Sequence, residues 1–487
     1  MKTPCFDCMG LSMLMPELMV AVGAILLLVY GAFRGARATG GITLLAILVL
    51  GFAAYALFPL GIAPELGMNN LIVNDGFSQF IKLIILVSSA LVLGMSFDWL
   101  AHEDHKKFEF PVLVLLSALG GMVMVSSNDL LTLYLGLELS SLALYVLAAY
   151  DRDNHVSAEA GLKYFVLGAL ASGLMLFGAS LVYGYTGTTN FTAMVALLVS
   201  TGEEQTVVAY GAVVGMVLLL IGFSFKISAV PFHMWTPDVY QGAPTPVTML
   251  FSTAPKLAAM AVFIRLLMQP FADLLPDWQN ILIIISVASM AVGAFGALTQ
   301  SNIKRLLAYG SIGHIGYTLI GVAAGTPEGI KAVLIYLTLY AFMTVGTFGF
   351  VLFMRRAGVQ VESLDDLKGL SKTHQRAAFF MLIMMFSMAG VPPFAGFYGK
   401  MFVFMAAMQA ELYVLAVVGV LTSVVAAFYY LKIIKLMYFD EPTQGLERHV
   451  PFVSRVVLLI CALVTALFFL YPSVLLDAAE AAAGAFA

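Results

Sequence analysis

The chain has 487 residues, of which 61% are hydrophobic and only 11% are charged. A soluble domain carries about 25% charged residues, so this composition excludes an ordinary soluble globule. The small formal net charge of −4 argues against a nucleic-acid-binding protein. We therefore expect an all-α polytopic membrane protein, since a bilayer admits helices whose backbone groups are paired internally.

The cysteines are too few for a redox or metal centre. An iron–sulfur cluster needs about four thiolates, and a zinc site needs a comparable set of ligands. The chain has three cysteines, Cys5, Cys8 and Cys461, and the first two form a C-x-x-C in a short polar leader with no second pair. No glycine-rich phosphate loop follows a strand pattern anywhere. We expect no metal, no redox cofactor and no nucleotide in this chain.

Long apolar runs recur from one end of the sequence to the other, and each is long enough to cross a bilayer as a helix. No small-residue cleavage site follows the first run, so it is not expected to be a removable signal. We predict about 14 transmembrane helices, over residues 11–33, 40–62, 77–98, 109–126, 129–150, 159–184, 209–240, 246–269, 279–299, 303–325, 329–354, 376–410, 412–436 and 452–475.

The charges of the loops predict the orientation of the chain in the membrane. Cations follow the odd-numbered spans: Arg34, Arg37, Lys106, Lys107, Arg152, Lys304, Arg305, Arg355, Arg356, Lys368, Lys372, Arg376 and Arg448. Acids follow the even-numbered spans, with Lys331 as the only cation nearby: Glu65, Asp75, Glu203, Glu204, Asp273 and Asp277. Because cationic loops stay in the cytoplasm, both termini should be periplasmic in a bacterial inner membrane, or face the intermembrane space in a mitochondrion.

Two predicted spans are too long for one straight helix. At 1.5 Å per residue, 209–240 would measure about 48 Å and 376–410 about 52 Å, against a hydrocarbon core of roughly 30 Å. Pro231 lies inside the first, and Pro392 and Pro393 lie inside the second. Proline lacks an amide donor and clashes with the preceding turn, so we predict that both helices are broken. Broken helices are tolerated only inside protein or along a wet cavity.

The two broken helices are the seventh and the twelfth, and this spacing predicts two inverted repeats of five helices each. The segment 228–232 also resembles 389–393 in sequence. The predicted division is 1–108 for N-terminal helices 1–3, 109–269 for the first repeat (helices 4–8), 279–436 for the second repeat (helices 9–13), and 437–487 for C-terminal helix 14.

Four ionisable residues lie deep in predicted spans: Glu138, Lys226, Lys256 and Lys400. Each costs roughly 2.5–3.5 kcal/mol at the middle of a membrane. An ion pair that locks two helices together could account for Glu138 and Lys226, but one acid cannot neutralise three lysines. A desolvated lysine holds its proton less tightly, and a nearby carboxylate reverses this effect. We therefore predict that these four side chains carry protons.

Three residues are weaker relay candidates. His314 lies in the middle of span ten. Lys163 lies near a span end, where its ammonium could instead reach the membrane surface. His233 belongs to the predicted break, where a structural or gating role fits as well as a relay. Three further cations near span ends are interpreted as surface anchors: Lys82, Arg265 and Lys432.

Three stretches of sequence, 226–247, 301–314 and 390–402, resemble the proton-translocating, antiporter-like subunits of respiratory complex I and of multisubunit cation/proton antiporters. Gln241-Gly-Ala-Pro-Thr-Pro-Val247 and Gly396-Phe-Tyr-Gly-Lys400 are similar to the subunit N branch rather than L or M. Subunit M would carry glutamate in place of Lys400. Subunit L would add a long lateral helix after span fourteen.

The resemblance implies that Glu138 and Lys226 are the paired acid and base of helices five and seven, that Lys256 is the connecting lysine, and that Lys400 is the helix-twelve lysine. It also implies membrane-arm subunits M and K as neighbours, with FMN, iron–sulfur clusters and quinone in other subunits, whose redox chemistry drives proton movement. One departure is that span eleven offers Tyr336 and Tyr340 instead of a central lysine or histidine.

Two other functions stay open. A sodium/proton antiporter subunit would need an acid-rich cation site in mid-membrane, and only Glu138 qualifies. A structural subunit that merely spaces its neighbours would have no use for the central lysines.

The loop charges generate a labelling prediction. A cysteine introduced beside Lys372 should react with a membrane-impermeant thiol reagent only from the cytoplasmic side, because the cationic loops are retained there. A cysteine in place of Asp277 serves as the opposite-side control. Reaction beside Lys372 from the outside alone would overturn this topology.

Overall fold

The computed structural model describes residues 11–58, 64–102, 106–198, 203–442, 445–447 and 450–486, so Cys5 and Cys8 lie outside the described residues. The α-helices are α1 Met15–Arg34, α2 Thr39–Tyr55, α3 Gly76–His102, α4 Glu109–Val125, α5 Leu130–Ala148, α6 His155–Thr186, α7 Phe191–Leu198, α8 Glu203–Ile227, α9 Thr236–Gly242, α10 Thr245–Phe251, α11 Ala254–Met268, α12 Leu275–Leu298, α13 Ile303–Ala323, α14 Pro327–Leu352, α15 Leu370–Thr373, α16 Gln375–Ala389, α17 Ala395–Gln409, α18 Tyr413–Phe439, α19 Phe452–Leu467 and α20 Ser473–Ala483.

The remaining regular structure is short. Two antiparallel hairpins pair β1 Glu65–Gly67 with β2 Ile72–Asn74 and β3 Arg355–Arg356 with β4 Val359–Gln360. Single 3-10 turns cover Leu11–Leu14, Gly35–Ala38, Ala272–Leu274, Leu364–Leu367, Phe468–Leu470 and Gly484–Phe486. The hairpins lie in loops between helices, so the structure is an all-α bundle with small β connections.

Eleven helical runs in the described part of the chain are long and apolar enough to cross a membrane. One of them, Ser12–Tyr55, contains both α1 and α2. Two shorter apolar helices, α4 and α16, lie where spans four and twelve were predicted. The prediction of an all-α polytopic membrane protein is confirmed, while the count of fourteen stays a prediction.

Both predicted helix breaks are present. The seventh predicted span is divided into α8, which ends at Ile227, and α9, which begins at Thr236. The twelfth is divided between Ala389 and Ala395. In each case the residue directly after the first half-helix has a positive φ: 68° at Ser228 and 86° at Gly390. A cis peptide bond comes next, Val230–Pro231 in one break and Pro392–Pro393 in the other.

The eighth predicted span is also broken, which the sequence interpretation missed. It consists of α10, which ends at Phe251, and α11, which begins at Ala254. Pro255 has no amide to donate to the carbonyl of the preceding turn, and the hydroxyls of Ser252 and Thr253 donate to the Met249 carbonyl at 2.9 and 3.0 Å. This span has an ordinary length, so length alone did not reveal the interruption.

The last predicted span, 452–475, is shorter than expected. Helix α19 ends at Leu467, and a 3-10 turn continues to Leu470. Pro472 then starts a separate helix, α20, which packs against α3 and α14. A proline at the start of a helix is favourable, because its missing amide would have no partner there anyway.

Two cations that were interpreted as surface anchors are instead buried in ion pairs. Lys82 of α3 is 1% exposed, and its Nζ lies 2.6 Å from Glu17 Oε1 of α1. Arg265 of α11 is 0% exposed and donates to both oxygens of Asp75, at 2.9 and 3.0 Å. The anchor interpretation is therefore wrong for both residues.

Close packing of α4 on α5 sets the position of the helix that carries Glu138. A Cβ atom on Gly120 would lie 2.4 Å from the backbone nitrogen of Ser140, and one on Gly136 would lie 2.7 Å from that of Met124. Only glycine permits this approach. At the start of α5, Asp129 accepts hydrogen bonds from the amides of Leu131 and Thr132 and so caps the helix.

The Glu17–Lys82 pair generates a stability prediction. Lys82→Met should leave a buried carboxylate without its cation and lower the stability by about 3–5 kcal/mol. The thermal unfolding midpoint of the purified protein in detergent measures this. The double variant Glu17→Leu, Lys82→Met should recover most of the loss, since it buries no unpaired charge. An unchanged midpoint for the single variant would contradict the prediction.

Candidate proton-transfer site

The acid and base predicted as a pair do not contact each other directly. In the described residues, the Glu138 Oε1 atom is buried and has no hydrogen-bond partner. The Lys226 Nζ atom donates to Ser141 Oγ at 2.7 Å and to Tyr145 OH at 3.2 Å. Ser141 and Tyr145 follow Glu138 by three and seven positions, so they share one face of α5 with it. Two hydroxyls therefore hold the ammonium on the face that carries the carboxylate.

Lys226 lies one residue before the end of α8, directly at the helix break. Its ammonium lies 5.5 Å from the centre of the Tyr145 ring, within the range of a cation–π contact. Its partners are an aromatic face and hydroxyls, and none of them carries a charge.

Lys256 lies in the first turn of α11, immediately after the unpredicted break, and is 2% exposed. Its Nζ atom donates to Ser311 Oγ at 2.6 Å and lies 5.2 Å from the centre of the Tyr240 ring. Ser311 Oγ also accepts a hydrogen bond from Tyr340 OH at 2.8 Å. A serine of α13 thus connects Lys256 to a tyrosine of α14.

His314 lies at the centre of a set of tyrosines. Its Nδ1 is 2.7 Å from Tyr336 OH, and its Nε2 is 3.1 Å from Tyr430 OH. The ring of Tyr340 is 5.0 Å from the imidazole, centre to centre. One nitrogen of a neutral imidazole donates and the other accepts, so the ring can connect two hydroxyls in series. Tyr336 and Tyr340 of α14, the eleventh predicted span, therefore lie where the family resemblance implied a central lysine or histidine.

Lys400 lies in α17, after the second predicted break, and is 5% exposed. Its Nζ atom donates to the Ala389 carbonyl at 2.9 Å and to Ser423 Oγ at 2.8 Å. The centre of the Tyr317 ring is 5.0 Å away. Ala389 is the last residue of α16, so Lys400 satisfies a carbonyl that the break leaves without a helical partner.

The structure groups the predicted residues into separate clusters. One contains Glu138 and Lys226, the second contains Lys256 and His314, and the third contains Lys400. Among the described residues no direct hydrogen bond joins Lys226 to Lys256 or His314 to Lys400. Any proton transfer between clusters therefore needs water or a change of side-chain position.

The two other candidates lie apart from this chain of clusters. The Lys163 side chain is 40% exposed and forms ion pairs with Glu159 and Asp238, each at 2.7 Å. Arg305 also binds Asp238, at 2.6 Å. Lys163 thus belongs to an ion network at the end of the bundle. His233 lies in the first break, half-buried, and its Nδ1 is buried with no hydrogen-bond partner in the described residues.

The hydroxyl groups that contact the central lysines and His314 were not predicted from the sequence. Ser141 and Tyr145 could have been found, since they lie on the face of Glu138, and Ser311 is three positions before His314. Tyr430 and Ser423 of α18 could not, because the sequence does not say which face of that helix meets the centre. In the described residues no group of three or more His, Cys, Asp or Glu side chains could hold a metal ion.

The comparisons with known proteins agree along the whole chain. A family model described as "NADH:quinone oxidoreductase/Mrp antiporter, TM" matches residues 127–426. A protein of Rhodospirillum rubrum named NADH-quinone oxidoreductase subunit N is 54% identical over 483 residues, which are 99% of this chain and 98% of the relative. A protein of the same name from Paramagnetospirillum magneticum is 51% identical over 96% of both chains.

Solved structures have the same fold. A chain of respiratory complex I from Thermus thermophilus with bound aureothin superposes with a TM-score of 0.82 at 32% identity, covering 96% of this chain and 100% of that one. A chain of the Mrp complex from Dietzia gives a TM-score of 0.83 at 24% identity, covering 98% and 97%, and this likeness concerns the fold alone. The chain belongs to the family of antiporter-like membrane subunits of NADH:quinone oxidoreductases and Mrp antiporters, and its full-length relatives are the subunit N proteins.

Proposed function

We propose that the chain is subunit N of a proton-translocating NADH:quinone oxidoreductase and moves protons across a bacterial inner membrane. The observation that supports this most strongly is the burial of Lys256 and Lys400 against hydroxyls, a carbonyl and aromatic rings, with no carboxylate of the described residues among their hydrogen-bond partners. Each such cation costs roughly 2.5–3.5 kcal/mol in mid-membrane, and a scaffold would gain nothing from it.

The relatives named NADH-quinone oxidoreductase subunit N support membership of such a complex. We propose further that the FMN, iron–sulfur clusters and quinone belong to other subunits, and that subunits M and K are the neighbours of this chain in the membrane arm. Both termini are proposed to be periplasmic. NADH oxidation in those other subunits supplies the driving force, which reaches this chain through conformational or electrostatic coupling.

In the proposed relay, Glu138 and Lys226 form the first station. Ser141 and Tyr145 hold the Lys226 ammonium off the carboxylate in this state. A shift of Lys226 onto Glu138 would replace two neutral acceptors by an anion and favour the protonated lysine. Returning it to the hydroxyls would favour release of the proton. The position of Lys226 therefore serves as the switch.

The proton then passes through Lys256 and the tyrosine cluster toward Lys400. Ser311 Oγ accepts hydrogen bonds from both Lys256 and Tyr340. Once the Tyr340 hydroxyl turns to accept, Ser311 can take the proton of Lys256 while it gives its own to Tyr340. His314 is the next group: its ring lies 5.0 Å from that of Tyr340, centre to centre, and its two nitrogens contact the hydroxyls of Tyr336 and Tyr430. Water completes the connections from Lys226 to Lys256, from Tyr340 to His314 and from His314 to Lys400.

The proposed repeats give the relay its geometry. We assign 109–269 and 279–436 to two inverted units, flanked by 1–108 and 437–487. The matching positive φ of Ser228 and Gly390, each directly after the first half of a broken helix, supports this division. Lys226 lies just before the first break whereas Lys400 lies just after the break in the second unit, so the two lysines do not occupy equivalent positions of the repeats.

A sodium/proton antiporter subunit is the alternative, and the likeness to the Mrp complex is the observation in its favour. Sodium prefers oxygen ligands that include carboxylates, and among the central ionisable groups Glu138 is the one acid. The geometry therefore supports proton transfer better than cation binding.

Removal of the charged relay groups should stop pumping. Glu138→Ala, Lys256→Ala and Lys400→Ala should each lower proton release and coupled NADH:quinone turnover by roughly tenfold or more, since positioned proton transfer contributes about 10²–10⁴ in rate. Glu138→Asp should retain part of the activity. Lys→Arg should not rescue, because arginine does not deprotonate.

The measurement is turnover and proton release in membranes whose complex content is verified on a native gel. Lys331→Ala is the matched control, since Lys331 pairs with Glu480 at the surface of the bundle. Normal pumping in all three alanine variants would leave the ion-pair scaffold as the better account.

The hydroxyl bridges can be tested without changing any charge. Ser311→Ala should slow pumping several-fold by removing the acceptor of Lys256, and Tyr340→Phe should act in the same direction to a smaller extent. Tyr309→Phe, on the same helix as Ser311 but outside the bridge, should pump normally. Equal rates for all three variants would mean that protons bypass Ser311.

A further inference from the structure

Arg265 is the most completely buried cation in the described part of the chain, and the proposed relay does not use it. It is 0% exposed and forms a two-pronged ion pair with Asp75, at the start of α3. Asp75 is fixed in turn by Ser78, whose amide donates to Asp75 Oδ1 at 2.8 Å. Burial raises the pKa of Asp75, but the Arg265 guanidinium and the hydrogen bonds of Ser78 together outweigh it and hold that pKa below its usual value, so Asp75 is a carboxylate at neutral pH.

Two phenylalanines enclose the guanidinium. The centre of the Phe77 ring lies 5.3 Å from Arg265 Cζ, and that of Phe486 lies 5.9 Å away. The two rings contact each other edge to face at 4.9 Å. Phe486 follows α20, the helix that packs across α3 and α14. A segment distant in sequence thus covers the ion pair.

Arg265 lies on the same helix as Lys256. Nine residues separate them, which corresponds to about 13.5 Å along the helix axis. Every residue between them, from Leu257 to Ile264, is apolar and at most 2% exposed. The helix therefore offers no polar step from Lys256 to the end of the bundle where Asp75 lies.

We propose that Arg265, fixed by Asp75 and enclosed by Phe77 and Phe486, is a barrier that closes the direct route for protons from Lys256 to that membrane face. A guanidinium stays charged at every accessible pH and repels an approaching proton, as arginine does in pores that exclude protons. The apolar segment before it excludes water. A proton at Lys256 must then move sideways through Ser311 and the tyrosines, which couples Lys256 to Lys400. The inference rests on the proposed function and makes Arg265 an electrostatic barrier, since its guanidinium neither takes up nor releases a proton.

The test is passive proton leak through the intact complex in proteoliposomes, with a trapped pH dye and valinomycin to balance charge. The double variant Asp75→Asn, Arg265→Gln removes both charges together, so that no unpaired ion is buried. We expect a several-fold rise in leak and fewer protons pumped per NADH, while NADH:quinone turnover continues. Phe486→Ala, which removes the cover and keeps both charges, should leak to a smaller extent. Glu480→Gln, which removes the exposed ion pair with Lys331 and leaves Asp75, Arg265 and both phenylalanines unchanged, is the control and should not leak.

A second measurement separates a barrier from a packing defect. Adding Lys256→Met to the double variant should abolish the leak, since the proposed leak passes through Lys256. A leak that persists without Lys256 would overturn the barrier. The barrier would also be overturned if neither the double variant Asp75→Asn, Arg265→Gln nor the single variant Phe486→Ala leaked. Full pumping by Lys256→Met alone would instead overturn the proposed function, which makes the two failures distinguishable.

Discussion

The cost of keeping a charge inside a membrane governs the arrangement of every ionisable group in this bundle. The chain meets this cost in two ways. Near the helix ends, cations are paired with carboxylates, as in Glu17–Lys82 and Asp75–Arg265. At the centre, Lys226, Lys256 and Lys400 have hydroxyls, a carbonyl and aromatic rings as partners instead.

The two solutions have opposite consequences for proton transfer. When a lysine in a tight ion pair loses its proton, an anion is left buried and unpaired, so the pair resists titration. A lysine held by a hydroxyl leaves only a neutral amine and a neutral alcohol after deprotonation, and the hydroxyl can reverse its hydrogen bond. A central lysine with neutral partners can therefore release and take up a proton. A peripheral lysine or arginine with a carboxylate partner keeps its proton and holds two helices together. The same chemical group, a lysine ammonium, serves both purposes according to its neighbours.

Much of the fold could be predicted from the sequence, because hydrophobic length and proline position act locally. The breaks at Pro231 and Pro392 followed from helices too long for the bilayer, whereas the break before Pro255 lies in a span of ordinary length and was missed.

The site could be predicted only in part. A charged residue deep in an apolar span is evident from the sequence alone, so four central ionisable residues could be proposed as candidates. The partners of the lysines come from other helices, such as Ser141, which lies 85 residues from Lys226, and helix rotation decides which of these meet. The same limit led to the misinterpretation of Arg265, whose position near a span end indicated a surface residue until Asp75 and Phe486 were seen to cover it.

Each central lysine is also next to a helix interruption, and this proximity explains how a remote redox reaction could act on it. Lys226 precedes the first break by two residues, Lys256 follows the second within one turn, and Lys400 binds the carbonyl that ends α16. Among the described residues no backbone-to-backbone hydrogen bond joins the two halves of an interrupted helix, although the Gly396 amide donates to Ser387 Oγ across the last gap, so one half can move with less effect on the other. A small displacement of a half-helix then changes which hydroxyl, carbonyl or carboxylate a lysine meets, and with it the proton affinity of that lysine. In the proposed mechanism, a displacement of a half-helix by the length of one hydrogen bond would change the proton affinity of the lysine beside the break. An uninterrupted helix would hold its lysine in one environment and could not transmit the displacement.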